Sequence, residues 1–166
     1  MNSARIIKIT DDLADEALAA AKASERLRHF YILEQSTCET AALNALVPGT
    51  YVQPHKHDHP NQVEVFDLIK GRAAVVIFGP GGEIDPDNSV LLDKTNGAYG
   101  VCILPGTWHC LIALEPSVVF ESKGHPKGGY SDKTAKTFAS WAPGERTPEA
   151  KKYLKKLNEI IVNFIS

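Results

Sequence analysis

The chain has 166 residues, which fits one domain with a substantial core and is short for two. Apolar residues make up 43% and charged residues 23%, which excludes wholesale disorder. A net charge of −2 leaves no basic footprint for nucleic acid, and no apolar run is long enough for a bilayer crossing. Neither nucleic acid nor membrane is therefore expected as a partner. The cysteines are Cys38, Cys102 and Cys110, an odd number with no CxxC pair, which predicts a reducing compartment. Cys102 and Cys110 lie in apolar runs and read as small buried hydrophobes. Met1 to Asp12 carries charge early and lacks a signal-peptide core, so a soluble cytoplasmic protein is expected.

Asp11 to Ala23 reads as a short helix, rich in Ala and Leu, with Thr10 or Asp11 as its cap and acidic residues in its first turn. A polar connection follows through Glu25 to Arg28. From Ala41 to Phe120 the texture changes to short apolar runs: Ala41–Val47, Tyr51–His55, Val63–Ile69, Ala73–Phe78, Val90–Leu92, Val101–Leu104, Cys110–Leu114 and Val118–Phe120. Turn residues such as Pro48-Gly49, Lys70-Gly71, Asn96-Gly97, Pro105-Gly106 and Glu115-Pro116 separate them. Many short strands at close spacing predict an all-β sandwich or barrel. The acidic, Gly/Pro-rich Gly79–Ser89 stretch reads as a long, mobile hairpin connection. After Gly124 the chain turns irregular, with Pro126, Gly128, Gly129, Pro143 and Gly144. The last segment is a helix, with Thr147 as N-cap and Pro148 in its first position. Leu154, Leu157, Ile160, Ile161, Phe164 and Ile165 form its apolar stripe, to be buried on the outer face of the barrel or on a dimer mate. Lys151, Lys152, Lys155 and Lys156 read as its solvated face.

One constellation carries chemistry: Gly49, His55, His57, Glu64 and Gly71, followed much later by Pro105-Gly106-Thr107-Trp108-His109. On a strand, the two-residue spacing of His55 and His57 puts both imidazoles on one face. Only a folded barrel brings His109 to the same point. Imidazoles plus a carboxylate suit a divalent transition metal that keeps coordination positions open.

The run Gly49-x5-His55-x-His57-x6-Glu64-x6-Gly71 resembles the first motif of the cupin superfamily, G-x5-H-x-H-x3,4-E-x6-G. Gly106-x2-His109 resembles part of the second, G-x5-P-x-G-x2-H-x3-N. Six residues separate His57 from Glu64 instead of three or four, Pro105 adjoins its glycine, and Ala113 stands where the family has asparagine. A narrower resemblance, to the WbuC-type cupin metalloproteins, rests on Val47-Pro48-Gly49-Thr50-Tyr51-Val52, Pro54-His55-Lys56-His57, the Pro-Gly-Thr-Trp-His segment, Phe120-Glu121-Ser122-Lys123, and Phe138-Ala139-Ser140-Trp141-Ala142-Pro143 with Glu145. These resemblances imply a mainly β, double-stranded β-helix (jelly-roll) barrel and a bound metal. A single domain over 1–166 is expected, with a barrel core of about 41–123 and helical or irregular extensions at 1–40 and 124–166.

His55, His57 and His109 are the expected metal ligands. Glu64 is a fourth ligand or a carboxylate that orients one of the histidines. His59 reads as a loop residue at the barrel mouth, and Gln62 as an alternative oxygen ligand. Tyr51 and Gln53 precede His55 by four and two residues, so a regular strand would aim both at the metal-bearing face. Tyr51 is then either a proton donor to substrate or a packed residue with its hydroxyl satisfied. Phe66, Leu68, Leu111 and Ala113 should line the interior, with Trp108 packing beside the site and Trp141 anchoring the C-terminal segment. The parity of Glu121 and Lys123 is not set by sequence.

The expected function is that of a metal-dependent enzyme of isomerase or epimerase type, acting on a sugar or small carbonyl or hydroxy metabolite. The resemblance adds a link to surface-polysaccharide biosynthesis. The alternatives are a metal-containing sensor or carrier of a small molecule, and an iron-dependent oxygenase. The metal is divalent (zinc, nickel, iron or manganese), the partner a small molecule, and the assembly a homodimer.

Overall fold

The computed structural model describes residues 6–126 and 136–164. Gly128, Gly129 and Ile165, and the side chain of Phe164, lie outside the described residues. In chain order the elements are α1 (Asp11–Ala23), β1 (Arg28–Gln35), β2 (Glu39–Leu46), β3 (His55–Lys56), β4 (Glu64–Lys70), β5 (Ala73–Phe78), β6 (Ile84–Leu92), β7 (Gly100–Ile103), β8 (Trp108–Ala113), β9 (Ser117–Gly124), β10 (Thr137–Phe138) and α2 (Pro148–Phe164). The strands form two antiparallel five-stranded sheets, in the orders β1-β2-β9-β4-β7 and β10-β3-β8-β5-β6. This is the mainly β double-stranded β-helix, with a helix at each end of the chain.

Three apolar clusters account for the layering. Between the sheets, Leu46, Phe66, Leu68 and Val119 meet Val75, Leu92, Leu111 and Ala113. Outside the first sheet, α1 buries Ala14, Ala17, Leu18 and Ala21 against Leu43, Ala45 and Val118. Outside the second, α2 buries Leu154, Leu157 and Ile161 against Ala74, Val76, Phe78, Cys110 and Ile112. The outer barrel face is thus the partner of the C-terminal stripe, and each large apolar side chain so buried contributes about 1.5–3 kcal/mol. A strand covered on both faces reads as an unbroken apolar run, as Ala73–Phe78 does. The helix starts follow their caps: the Thr10 hydroxyl accepts from Leu13 N at 3.3 Å, and that of Thr147 from Ala150 N at 3.2 Å.

Three expectations need correction. The first sheet begins at Arg28, where sequence reading placed a polar connection. Its edge strand β1 buries little, and a bulge between Ile32 and Glu34 breaks the alternation. The Gly79–Ser89 connection is much shorter, because strand β6 starts at Ile84. Val75 pairs with Val90 and Ile77 with Asp85, so the intervening residues bulge out. Their own side chains close that bulge: Ser89 Oγ accepts from Ile77 N at 3.0 Å and donates to Asp85 O at 2.6 Å. Cys110 is buried but Cys102 is exposed, since β7 is an edge strand whose inward residue there is Ile103.

Candidate metal centre

The second sheet pairs β3 with β8, and His55 stands directly opposite His109. Strand β3 ends at Lys56, so His57 lies just past it, where its carbonyl accepts from Gly106 N at 2.7 Å. That bond ties the two motif segments together. It requires the Pro105-Gly106 turn, in which Gly106 adopts a φ of +86° that L side chains rarely take. Glu64 opens β4 on the opposite sheet, and the longer turn before it leaves its direction intact. One ligand atom from each of His55, His57, Glu64 and His109 lies within 4.8 Å of every other, and all four residues are buried. Ligand bonds of about 2.0–2.2 Å place two donors on one ion at most about 4.4 Å apart, so the cluster is close to the size of an ion's donor shell.

Hydrogen bonding sets the tautomers. Nδ1 of His55 donates to Gln53 O and Nδ1 of His109 to Thr107 O, each at 2.9 Å. A carbonyl only accepts, so both Nδ1 atoms carry the proton, and in the neutral ring each Nε2 presents a lone pair. Glu64 Oε2 lies 2.9 Å from His109 Nε2 and 3.3 Å from His57 Nε2. A carboxylate oxygen facing an imidazole lone pair at 2.9 Å needs positive charge between them, a proton or a cation. This donor set therefore fits a divalent metal. Burial holds the His55 imidazole well below its usual range, leaving it neutral and ready to ligate. Burial alone would push Glu64 up, but its contacts with His109 and His57 and the Lys123 charge outweigh that and keep it ionised.

Cross-strand register supplies further groups. Lys123 stands opposite Glu64 and Glu121 opposite Phe66, so both face the barrel interior. Lys123 Nζ donates to Glu64 Oε1 at 3.4 Å and to Glu121 Oε1 at 3.2 Å, and Asn44 Nδ2 donates to Glu121 Oε2 at 2.9 Å. Burial, with the Glu64 charge, pushes the Glu121 carboxyl up. Burial alone would lower the Lys123 ammonium, yet the two carboxylates carry it above its usual range. Their signal in the sequence was the i, i+2 spacing of Glu121 and Lys123, but the facing strand was needed to fix its direction.

His55, Glu64 and His109 line a cavity of about 520 Å³, together with Glu121 and Lys123. Its walls carry three more cations, Arg26, Arg28 and Lys136, and the apolar side chains Phe30, Ile32 and Phe138. None of these six was anticipated, because each lies on an edge strand or beside one.

Tyr51 is placed elsewhere, which corrects the expected aim of its side chain. Its hydroxyl donates to Pro143 O at 2.8 Å, and its ring meets Tyr153 with centroids 6.1 Å apart, in the cluster under α2. The segment before His55 is not regular strand, so the two-residue alternation does not hold there. Gln53 serves through its carbonyl. Gln62 closes the turn instead of joining the cluster, its Oε1 accepting from His59 N at 3.2 Å, and His59 Nδ1 accepts from Asn61 N at 3.2 Å. Trp108 is corrected too: next to His109 on a strand it turns to the opposite face, into the cluster under α2, 6.1 Å from Trp141, whose ring meets Phe78 at 5.1 Å.

A family model described as "Domain of unknown function (DUF6016)" matches residues 9–90, a span holding His55, His57 and Glu64 but not His109. No curated protein matches the chain. Among solved structures, an uncharacterized conserved protein with a double-stranded beta-helix domain from Klebsiella pneumoniae is similar over 83% of this chain and 99% of its own, at 16% identity and a TM-score of 0.55. KdgF from Halomonas sp. matches over 64% of this chain and 82% of its own, at 20% identity and a TM-score of 0.46. A recombinant oxalate oxidase in complex with glycolate matches over 70% of this chain and 57% of its own, at 15% identity and a TM-score of 0.49. The Klebsiella likeness agrees with the fold described above. No helix among the described residues is long and apolar enough to cross a membrane.

Proposed function

We propose that this chain is a metal-dependent enzyme, of the WbuC-type cupin kind its motifs resemble, acting on a sugar or other small hydroxy or carbonyl compound. The observation that carries this reading is the convergence of His55, His57, Glu64 and His109, three of which (His55, Glu64 and His109) line a cavity sized for such a compound. A divalent metal held by those residues would supply Lewis acidity to a bound carbonyl or hydroxyl oxygen. The chain's own groups do the rest. Gln53 O and Thr107 O hold the His55 and His109 rings by their Nδ1 protons, which fixes where the lone pairs point. Lys123 holds Glu64 from behind. Glu121, fixed between Asn44 and Lys123, is the cavity carboxylate outside the ligand set, and it takes or returns the proton of the reaction.

Elemental analysis of the purified protein, then a screen of sugars, phosphosugars and nucleotide sugars by NMR, tests this. A bound transition metal, with turnover that disappears along with the metal in His57→Ala, is expected. Turnover that persists in fully metal-free protein overturns the proposal, and binding of an unchanged ligand with no turnover points instead to a carrier or sensor.

A further inference from the structure

The cavity beside the cluster is lined by more cations than anions. Arg26, Arg28, Lys123 and Lys136 face it, against the carboxylates of Glu64 and Glu121. Most of these charges already have partners. Arg26 and Arg28 both pair with Glu145, and Arg28 also donates to Tyr51 O. Lys123 sits between Glu64 and Glu121. Lys136 differs: among the described residues no carboxylate comes within salt-bridge distance of it, and its Nζ lies 5.8 Å from the centre of the Phe138 ring. Lys136 is half-buried, and a cation partly withdrawn from water without a counter-charge is costly. Burial, then the Lys123 charge, pulls the Lys136 ammonium down, a penalty that an incoming anion would remove. Beside these charges lies an apolar flank left open to solvent: Phe30, Ile32 and Phe138 are 41%, 50% and 50% exposed.

We infer that the ligand of this cavity is a small organic anion, its carboxylate or phosphate group drawn to Lys136 and its carbon skeleton laid against Phe30, Ile32 and Phe138. This rests on the reading of the cavity as the substrate site and narrows its substrate class. A divalent cation held by the cluster would add further positive charge to the same space and favour the same class of ligand.

The test uses isothermal titration calorimetry on metal-free and cobalt(II)-loaded full-length protein, with inorganic phosphate, glycolate and neutral erythritol as probes. At least one anion should bind both forms more tightly than erythritol, and whichever binds better identifies the anionic group. Lys136→Gln should weaken that anion by about ten-fold, the loss expected for one charge-assisted contact, while Lys136→Arg retains it. Thermal unfolding and cobalt uptake, measured on both variants, verify that the fold and the cluster are intact. Erythritol binding as tightly as the anions, or a Lys136→Gln protein with unchanged anion affinity, overturns the inference. Failure to take up cobalt defeats the metal reading separately, because the metal-free titration still reports on the anion.

Discussion

Replacing Glu64 by Gln separates the cluster's role as a cation site from its role in the fold. The carboxylate Oε2 stands 2.9 Å from a His109 Nε2 whose ring proton is committed to Thr107 O. In Glu64→Gln, an amide N–H donates to that lone pair, so the metal-free protein keeps its fold. A metal held by the cluster would lose its one anionic ligand. Free zinc at 100 times its dissociation constant stabilises the native protein by about 2.7 kcal/mol. For a chain of this size that raises the melting temperature by about 5–11 °C. A 100-fold weaker site, the upper end of what even outer contacts of a metal contribute, is only half filled at the same zinc level. The stabilisation then falls to about 0.4 kcal/mol, a shift of about 1–2 °C. Differential scanning fluorimetry in chelator and in buffered zinc reads both proteins. Equal zinc-dependent shifts in the two, or no shift in the parent, would refute the assignment of Glu64 to a cation.

Leu157→Ala should cost about 2–5 kcal/mol in urea unfolding, since Leu157 is 2% exposed between α2 and the second sheet; a loss below 1 kcal/mol would mean that the helix does not pack there. Two glycines give a paired test by the same measurement. A Cβ at Gly106 meets nothing within 4 Å, so Gly106→Ala costs only the backbone penalty of its positive φ, about 1–2 kcal/mol. A Cβ at Gly71 would lie 2.3 Å from Pro116 O, so Gly71→Ala should cost clearly more. Acid unfolding probes Asp93, held near pKa 2 by the Thr95 hydroxyl, then the Thr95 backbone N–H and Arg72. Its folded value lies below its ordinary 3.8, so its contribution is full above that value and lost as pH falls through about 2. Asp93→Asn should flatten the melting-temperature profile across that window, and an unchanged acid limb would argue against these bonds.

Local signals in the chain were enough for both helices, most strands and the four cluster residues. Thr10 and Thr147 announce helix starts because a cap is satisfied within three residues. Periodic apolar residues announced which face is covered, as with Leu154, Leu157 and Ile161. The strand β1 escaped notice because it is an edge, and an edge buries too little to impose an alternating pattern. Tyr51 stayed between two roles because alternation tells its direction only in a regular strand, and there the chain only approaches one; the structure selects the packed role.

What the linear order alone determined was identity and spacing: which side chains can ligate, where the chain turns, and which faces are apolar. Side-chain chemistry and short-range backbone geometry are properties of neighbouring residues. Tertiary structure alone decided which way Glu121 and Lys123 point, that Tyr51 spends its hydroxyl on Pro143, and that Lys136 joins the cavity wall. Those outcomes depend on the register between strands far apart in the chain, where a slip of one residue turns a side chain from the cavity to the opposite face.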